Sequence, residues 1–563
     1  MRLRRLLIFF QSVILSSSML ANSIAAEPNA SGDAISASNL NAIVQTLSSE
    51  AFEGRAPGTP GEEKTVNYLI DKMAAMGLEP GGTDGSWTQD VAMMRTQVKS
   101  PIAMTFTTGA DRLALEQGIS ASIDTAGSST RVTAEKIPVV FVGFGTHAPE
   151  QDWDDYGDID LKGKLAIYLV NDPDFAATPE EPAAGRFGNR RMTYYGRWAY
   201  KYEEAARRGA FGALVIHETE AAGYDWSVAV AGAGENVSLG IKNPAAPPIK
   251  LQGWIHNDAA TRLFAQAGYD LNVLRVAARD PEFRAFEMKG THFSTELEVD
   301  VTQFDSRNVL GVIKGKARPN EILMASAHWD AYGIGAPDKL GRTVRGGAND
   351  DALGSAGILE LARILARGPA LDRSVVFAFW TAEEAGLVGS MAYAEDPVYP
   401  LETTVANFTL DILQTAGAAR DVILVGKGQS DLEDDLARHA QNQGRYVTEE
   451  TLPENGLFYR ADHFSMARGG VPVLLIMGIA GGSDLVTGGR AAGEQWIADY
   501  VGNCYHKPCD AWSDNWDLTG AIQDIELFKE LIMELGNSTR WPEWKPGSEF
   551  KGLRDQSSES RNP

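Results

Sequence analysis

Apolar residues in the second half of the chain fall into two alternating patterns. Near-continuous apolar runs of strand length occur at NVLGVIKG, EILMASA, SVVFAFW, TVANFTLDIL and VPVLLIM, beginning near Asn308. Between and after them, GSAGILELARILARG and IQDIELFKELIMELG show the apolar spacing of amphipathic helices. Strands that are apolar throughout are typical of sheets covered on both faces. The pattern therefore predicts an α/β domain with a mostly parallel sheet flanked by helices.

Upstream, the pattern changes twice. Residues 40–77 predict two helices around the turn EGRAPGTPGEE, and these belong with the main domain. From about 128 to 289, short β-rich runs (KIPVVFVGFG, GKLAIYLVND, FGALVIHE) accompany one helical stretch, which predicts an inserted β-rich domain. The expected boundaries are 27–127 for the first part of the main domain, 128–289 for the insertion and 290–540 for the rest. The polar tail, 541–563, is expected to be frayed.

The first 26 residues predict a signal peptide. A basic MRLRR precedes the apolar LLIFFQSVILSSSML, and small residues suit cleavage near Ala25 or Ala26. An uncleaved membrane anchor is the alternative, but the apolar stretch is short and rich in serine. No later segment is apolar enough to cross a membrane, so we expect export to the periplasm or the outside.

Charge and cysteine content narrow the class of protein. The formal net charge of −24 over 563 residues argues against nucleic acid or an anionic membrane as a partner. The two cysteines, Cys504 and Cys509, lie close together, and in an oxidising compartment such a pair favours a disulfide over a metal site. That disulfide would close a small loop around His506.

Polar side chains follow each predicted strand of the main domain, at the edge where sites form in such sheets. Taken singly, each has an ordinary explanation, such as an aspartate that caps a helix or ends a turn. Together, two imidazoles and several carboxylates fit divalent zinc, or two zinc ions that share one carboxylate and one water. The residues concerned are His328, Asp330, Asn349, Asp350, Asp351, Glu383, Glu384, Asp411, Tyr505 and His506.

Five motifs, in this order, carry a family resemblance. HWD, GANDDALGSAG, TAEEAGLVGS, the aspartate of TLDIL, and YHKPCD resemble the co-catalytic di-zinc aminopeptidase family, whose relatives include bacterial leucyl aminopeptidases, glutamate carboxypeptidase II and glutaminyl cyclases. The resemblance covers about residues 40–536, and the insertion looks like a protease-associated domain. It implies a zinc-exopeptidase-like fold for the main domain.

The resemblance also implies a role for each site residue. His328 and Asp411 would bind one zinc ion, Glu384 and His506 the other, and Asp350 would bridge both. Glu383 would be the general base on the bridging water, Asp330 would hold the imidazole of His328, and Tyr505 would stabilise the oxyanion. His463 is a rival for the second histidine ligand, but the family pattern favours His506 and leaves His463 as a packing residue near the site. Asp351 is expected to cap a helix.

The activity expected from this resemblance is that of a secreted zinc exopeptidase acting on peptides or proteins, and specifically an aminopeptidase. A related carboxypeptidase or dipeptidase is the alternative, with a glutaminyl cyclase or a non-catalytic binding protein less favoured because the full ligand set is present. Arg460 and Arg468 lie near the site in sequence, where an arginine would suit recognition of a substrate carboxylate; the alternative, and the commoner case, is that they are surface arginines. The loop YGIGAPDKLGRTVRG departs from the family pattern, so the pocket rim is expected to differ.

Overall fold

The computed structural model describes residues 34–99, 102–240 and 249–561. The predicted signal peptide, residues 1–26, lies outside these ranges. The helices are α1 (Ala37–Leu47), α2 (Pro60–Met76), α3 (Trp198–Arg207), α4 (Thr219–Ala222), α5 (Trp226–Ala229), α6 (Asn257–Gln266), α7 (Leu271–Ala277), α8 (Leu353–Arg367), α9 (Val388–Glu395), α10 (Leu432–Asn442), α11 (His463–Arg468), α12 (Gly489–Asn503), α13 (Thr519–Asn537) and α14 (Lys551–Gln556).

The described residues form 21 strands. They are β1 (Glu79–Pro80), β2 (Thr88–Val98), β3 (Ala103–Thr108), β4 (Asp111–Leu115), β5 (Ala121–Asp124), β6 (Arg131–Gly143), β7 (His147–Ala148), β8 (Trp153–Asp154), β9 (Leu165–Leu169), β10 (Gly212–His217), β11 (Glu235–Leu239), β12 (Leu251–His256), β13 (Phe286–Ile313), β14 (Arg318–His328), β15 (Gly333–Ile334), β16 (Val344–Arg345), β17 (Arg373–Trp380), β18 (Thr404–Leu410), β19 (Asp421–Leu424), β20 (Tyr446–Glu449) and β21 (Val473–Ile476).

The main domain is built on the sheet order β21-β18-β14-β17-β13. The first four strands pair in parallel, and β13 joins β17 antiparallel. This is the mostly parallel α/β sheet that the apolar pattern predicts.

Both faces of this sheet are covered, which explains the near-continuous apolar runs in its strands. In β17, Val375, Phe377 and Phe379 pack into the core that also contains α1, α2, α8 and α13. The alternate residues Val376 and Ala378 face a second core that includes α9, α11 and the C-terminal segment. Successive side chains of a strand point to opposite faces, so burial on both sides requires an unbroken apolar run.

A second sheet forms the inserted region, and its extent differs from the expected boundary. Strands β3 and β4, at residues 103–115, and strand β5 pair within this sheet, so it begins well before residue 128. At its other limit, β13 runs unbroken through residues 289 and 290 and pairs with both sheets. Strand periodicity gives no sign of this sharing, because one long strand serves both sheets. That the insertion is a protease-associated domain stays a prediction.

The C-terminal segment is ordered through residue 561, so the expectation of a frayed tail is wrong there. Trp544 and Phe550 are buried in the second core, and the indole of Trp544 donates a hydrogen bond to the carbonyl of Gly470 at 2.8 Å. Arg554 is buried and donates to the carbonyls of Thr404 and Val405 at the start of β18. A few apolar residues anchor this mostly polar segment, and its overall composition did not predict their burial.

None of the helices in the described part of the chain is long and apolar enough to span a bilayer.

Candidate metal centre

The parallel strands of the main sheet end at one edge and deliver polar side chains there. His328, the last residue of β14, lies opposite Trp380, the last residue of β17. Glu383 and Glu384 lie in the loop that follows β17, and Asp411 comes directly after β18. Because parallel strands share one carboxyl edge, residues far apart in sequence meet in one place.

Asp350 reaches this edge from the turn before α8. The backbone N–H groups of Asn349 and Asp350 donate to the carboxylate of Asp510 at 2.9 and 3.2 Å. Gly347, with φ +50°, allows the tight approach: a Cβ there would lie 2.1 Å from the carbonyl oxygen of Asp350. The Asp350 carboxylate is therefore fixed by backbone contacts that leave its own oxygens free.

Asp350 lies between the two histidines. One of its oxygens is 3.3 Å from Nε2 of His328, and the other is 3.2 Å from Nε2 of His506. Nε2 of His506 is also 3.4 Å from Glu384. Two sets of possible donor atoms thus share Asp350, each within 4.8 Å: one with His328 and Asp411, the other with Glu384 and His506. The structure brings together all five residues that the sequence nominated as ligands.

The free atoms of this cluster suit a cation. Among the described residues, several buried atoms here lack a hydrogen-bond partner, namely Nε2 of His328, Oδ2 of Asp350, Oε1 of Glu384 and Oδ1 of Asp411. Leaving such atoms unpaired costs free energy unless something else binds them. Burial raises the pKa of Asp411 to about 7, and burial with the neighbouring Asp350 and Glu383 raises the pKa of Glu384. Crowded carboxylates facing two imidazoles match the donor set that zinc prefers.

Asp330 connects His328 to Glu383. Nδ1 of His328 lies 3.2 Å from the backbone carbonyl of Asp330 and 3.5 Å from its carboxylate. The other role of that carboxylate is to accept the backbone N–H of Glu383 at 3.0 Å. Burial acts to lower the pKa of His328, but Asp330 and Asp350 outweigh it and raise the pKa. Asp330 is therefore placed to orient the imidazole, chiefly through its backbone oxygen.

The carboxylate of Glu383 is unlike the other acidic groups. It belongs to neither set of donor atoms, and its side chain makes no hydrogen bond with the described part of the chain. Burial, with Asp411 and Asp462 nearby, raises its pKa above the ordinary value. A carboxylate that is close to the cluster, but not engaged, is available to accept a proton.

His506 sits in the turn closed by the predicted disulfide, which is confirmed: Cys504 and Cys509 are bonded, with Cα atoms 4.9 Å apart. The ring of Tyr505 lies 3.6 Å from that of His506, centroid to centroid. Burial, with Asp350 nearby, raises the pKa of the Tyr505 hydroxyl well above its usual range. The phenol therefore keeps its proton and can act as a donor.

Tyr332 is a site residue that the sequence reasoning missed. Its hydroxyl lies 2.9 Å from Nδ1 of His506, and the two rings are 4.4 Å apart. A metal ion held by Asp350 and Glu384 would take Nε2 of His506 as a further ligand, and Nδ1 would then carry the proton and donate a hydrogen bond to the tyrosine oxygen. The only signal in the sequence was the unusual loop YGIGAPDKLGRTVRG, of which Tyr332 is the first residue.

Arg55, in the predicted turn EGRAPGTPGEE, also escaped notice. It is fully buried and donates hydrogen bonds to the carbonyl oxygens of Trp329 at 2.7 Å and Gly347 at 3.0 Å. It also donates to Leu47 at 3.0 Å. The guanidinium thus ties the loop after β14 to the turn that carries Asp350. Only the tertiary structure shows that an arginine in a surface-type turn sits beneath the metal centre.

Asp351 lies next to the cluster and serves the backbone. Its carboxylate accepts the N–H of Gly354 in the first turn of α8 at 3.0 Å, as a helix cap would. It also accepts the N–H groups of His328 at 3.4 Å and Ile412 at 3.3 Å. Asp351 therefore joins the ends of β14 and β18 to the helix.

His463 is fully buried and packs its ring edge-on against Phe458 at 4.9 Å. It lies outside both sets of donor atoms. The rival assignment of His463 as a ligand therefore has no support in the geometry, and burial lowers its pKa to about 3.

We expect His463 to make the fold sensitive to acid. Between pH 6.5 and about 3, His463 binds a proton in the unfolded chain but stays neutral in the folded protein. Its contribution to the free energy of unfolding is therefore intact above pH 6.5 and falls as the pH drops. The effect is about 1.4 kcal/mol per pH unit. Between pH 6.5 and 5, the free energy of unfolding of the metal-free wild type should therefore fall by roughly 2 kcal/mol more than that of His463→Leu. Urea unfolding at both pH values measures this. His292→Leu, at a partly exposed histidine, is the control and should behave as wild type. An equal fall in the free energy of unfolding for wild type, His463→Leu and His292→Leu would contradict the prediction.

Comparison with known proteins agrees with this geometry. Residues 308–528 match peptidase family M28. Leupeptin-inactivating enzyme 1 of Streptomyces exfoliatus is 25% identical over 333 residues, 58% of this chain and 68% of that protein. Aminopeptidase NAALADL1 of Mus musculus is 32% identical over 183 residues, 30% of this chain and 23% of that protein.

Among solved structures, an aminopeptidase from Aneurinibacillus sp. strain AM-1 aligns with 90% of this chain and 95% of its own, at 19% identity and a TM-score of 0.47. The matched segment, residues 308–528, begins before β14 and ends within α13, so it contains every residue of the two donor sets. Residues 308–528 therefore match peptidase family M28, and the domain built on them is a zinc metallopeptidase domain.

Proposed function

We propose that the protein is an exported di-zinc aminopeptidase that removes residues from the N-terminus of peptides. The observation that carries the proposal is the position of Asp350, which offers one carboxylate oxygen to the His328 side and the other to the His506 side. One shared carboxylate between two donor sets provides for two ions. His328 and Asp411 would hold one of them, and Glu384 and His506 the other.

Zinc bound here would polarise the scissile carbonyl and lower the pKa of the attacking water. The chain's own residues then supply positioning and proton transfer. Glu383, the unengaged carboxylate, would take the proton from the water and pass it to the leaving amine. Asp330 fixes both the ring of His328 and the backbone of Glu383. The protonated Tyr505 would donate a hydrogen bond to the carbonyl oxygen as its negative charge develops.

The charge balance favours a free amino terminus as the group recognised. Eight acidic side chains lie in or beside the cluster, whereas the positive groups there would be two divalent ions, Arg55 and Arg460, so an ammonium group nearby is favoured. The acidic residues are Asp330, Asp350, Asp351, Glu383, Glu384, Asp411, Asp462 and Asp510. Relatives named as aminopeptidases support the same choice.

Arg460 favours a second candidate, a carboxypeptidase. Across residues 34–99, 102–240 and 249–561, no carboxylate forms an ion pair with it, yet it lies close enough to Asp411 and Tyr505 to act on their pKa values. Arg468 is not available for this role, because its guanidinium makes two 3.0 Å hydrogen bonds to Glu203. A free arginine beside the site would suit a substrate carboxylate.

Substrate panels separate the two candidates. We expect hydrolysis of aminoacyl-nitroanilides with free amines, and at least about a hundredfold slower hydrolysis of N-acetylated counterparts, because a buried ammonium site rejects a neutral amide. Arg460→Met should change kcat/KM for these substrates less than about threefold, as should the control Arg468→Met. Cleavage of N-blocked peptides from the C-terminus, lost in Arg460→Met, would instead establish the carboxypeptidase.

Tyr332→Phe is expected to weaken the metal site without abolishing it. Removing the hydroxyl leaves Nδ1 of His506 without its partner, and loss of such a partner costs about tenfold or more in metal affinity. Zinc titration against a competing chelator measures this. Tyr505→Phe is the matched comparison: it should retain zinc affinity and lose about a hundredfold in kcat. The assignments would be reversed if Tyr505→Phe lost zinc and Tyr332→Phe lost only turnover.

A further inference from the structure

A groove of about 590 Å³ opens beside the metal centre. One wall is the turn at residues 53–60, and the other is Tyr332 with strand β15 of the β15–β16 hairpin. Its floor comes from β2 and β13, through Arg95, Thr302 and Phe304. This volume is in the range of ligand pockets, about 300–1,000 Å³.

The groove adjoins the cavity of the metal centre, and one side chain lines both. Tyr332 lines the groove, and it also lines the small cavity that contains Asp350, Glu384 and His506. A chain that starts at the metal centre can therefore continue past Tyr332 into the groove.

The hairpin wall is fixed in place, although it belongs to the unusual loop. Gly333 pairs with Arg345, and Ile334 pairs with Val344. Gly333 packs so tightly on the turn that a Cβ there would lie 2.8 Å from Cβ of Ala56. The wall is thus preformed, which lowers the entropic cost of binding.

The surface of the groove is apolar where a side chain would lie. Ile334 is 63% exposed at its rim. Phe304 is half-buried, with the guanidinium of Arg95 over its ring at 5.3 Å. Thr302 and Phe304 of β13 and Arg95 of β2 lie on one face of this strand pair, so an extended peptide can lie across that face.

We propose that this groove binds the residues of a peptide substrate that follow the scissile bond, in an extended conformation and with preference for an apolar side chain against Ile334 and Phe304. The inference rests on the proposed aminopeptidase function. An aminopeptidase substrate has one residue before the scissile bond, so the rest of the peptide must leave on the other side. The groove is the path that the structure provides.

The test compares a long substrate with a short one. Wild-type kcat/KM is measured for leucyl-nitroanilide, which has one nitroaniline ring and no peptide chain beyond the scissile bond, and for a hexapeptide with N-terminal leucine and apolar residues behind it. Ile334→Ala removes an apolar contact, and Thr302→Trp fills the exposed floor. We expect about a fivefold loss for the hexapeptide in the first variant and more than tenfold in the second, with less than a twofold change for leucyl-nitroanilide. Leu340→Ala, 78% exposed on the same hairpin and outside the groove, is the control.

The outcomes distinguish the groove from the function. An equal loss of kcat/KM on both substrates in the groove variants, or no loss on the hexapeptide, would contradict the proposal that the groove binds the peptide. Failure of wild type to cleave either substrate would reject the aminopeptidase. In that case, fluorescence anisotropy of a fluorescein-labelled hexapeptide bound to the Glu383→Gln protein still tests whether the groove binds the peptide. Adding Thr302→Trp to that protein must weaken the binding, and adding Leu340→Ala must not.

Discussion

Replacing Glu383 by glutamine is expected to reduce turnover by about a thousandfold while leaving both metal sites filled. Glutamine keeps the shape of the side chain but cannot accept a proton, and general-base catalysis contributes about 10²–10⁴. Glu383 belongs to neither donor set, so zinc should be unaffected. Steady-state kinetics on leucyl-nitroanilide and metal analysis of the same preparation measure both properties. The melting temperature should not fall, because one of several crowded negative charges is removed.

The adjacent Glu384 provides the matched control. Glu384→Gln makes the same chemical change one residue away, but at a donor 3.4 Å from Nε2 of His506. It should lose zinc as well as turnover. If Glu383→Gln hydrolysed the substrate at the wild-type rate, or lost zinc as Glu384→Gln does, the base would have to be another group.

Metal removal, and the Asp350→Asn variant, should have the largest effect on activity and also reduce stability. Asp350 is the residue shared by both donor sets, so its loss disrupts two sites at once. We expect activity to fall more than ten-thousandfold, a loss beyond that of one general base. A ligand that binds only the folded state stabilises it by about 4 kcal/mol at a thousand times its Kd. Wild type treated with chelator should therefore melt at lower temperature, and two equivalents of zinc should restore it.

Asp514→Asn serves as the control, because Asp514 is an exposed carboxylate eight residues beyond His506. It should keep activity, zinc content and melting temperature. Full restoration by one equivalent of zinc would contradict the two-ion proposal while leaving the site itself in place. Zinc-dependent stabilisation of Asp350→Asn equal to that of wild type would exclude Asp350 as the shared ligand.

The inserted region extends beyond its compositional limits for a reason that applies to strands in general. A stretch such as AMTFTT, at residues 103–108, pairs as readily with one sheet as with another, and only the register of β3 with β13 assigns it. Interdomain contacts then fix the insertion: Arg190 meets Glu454 at 2.6 Å, and Tyr194 packs on Tyr459 and Phe464. These pairs lie more than 250 residues apart.

Sequence by itself determined the local elements and the ligand types. The apolar runs of β14, β17 and β18 must be buried on both faces, and parallel strands must end at one edge, so His328, Glu384 and Asp411 were expected to be near one another. Tertiary structure decided what touches them: the hydroxyl of Tyr332 on His506, Arg55 beneath the loops, the ordered tail and the groove along β13. These contacts join segments whose spacing in sequence carries no period, because they are set by the packing of side chains, whereas strands and helices are set by repeating backbone geometry.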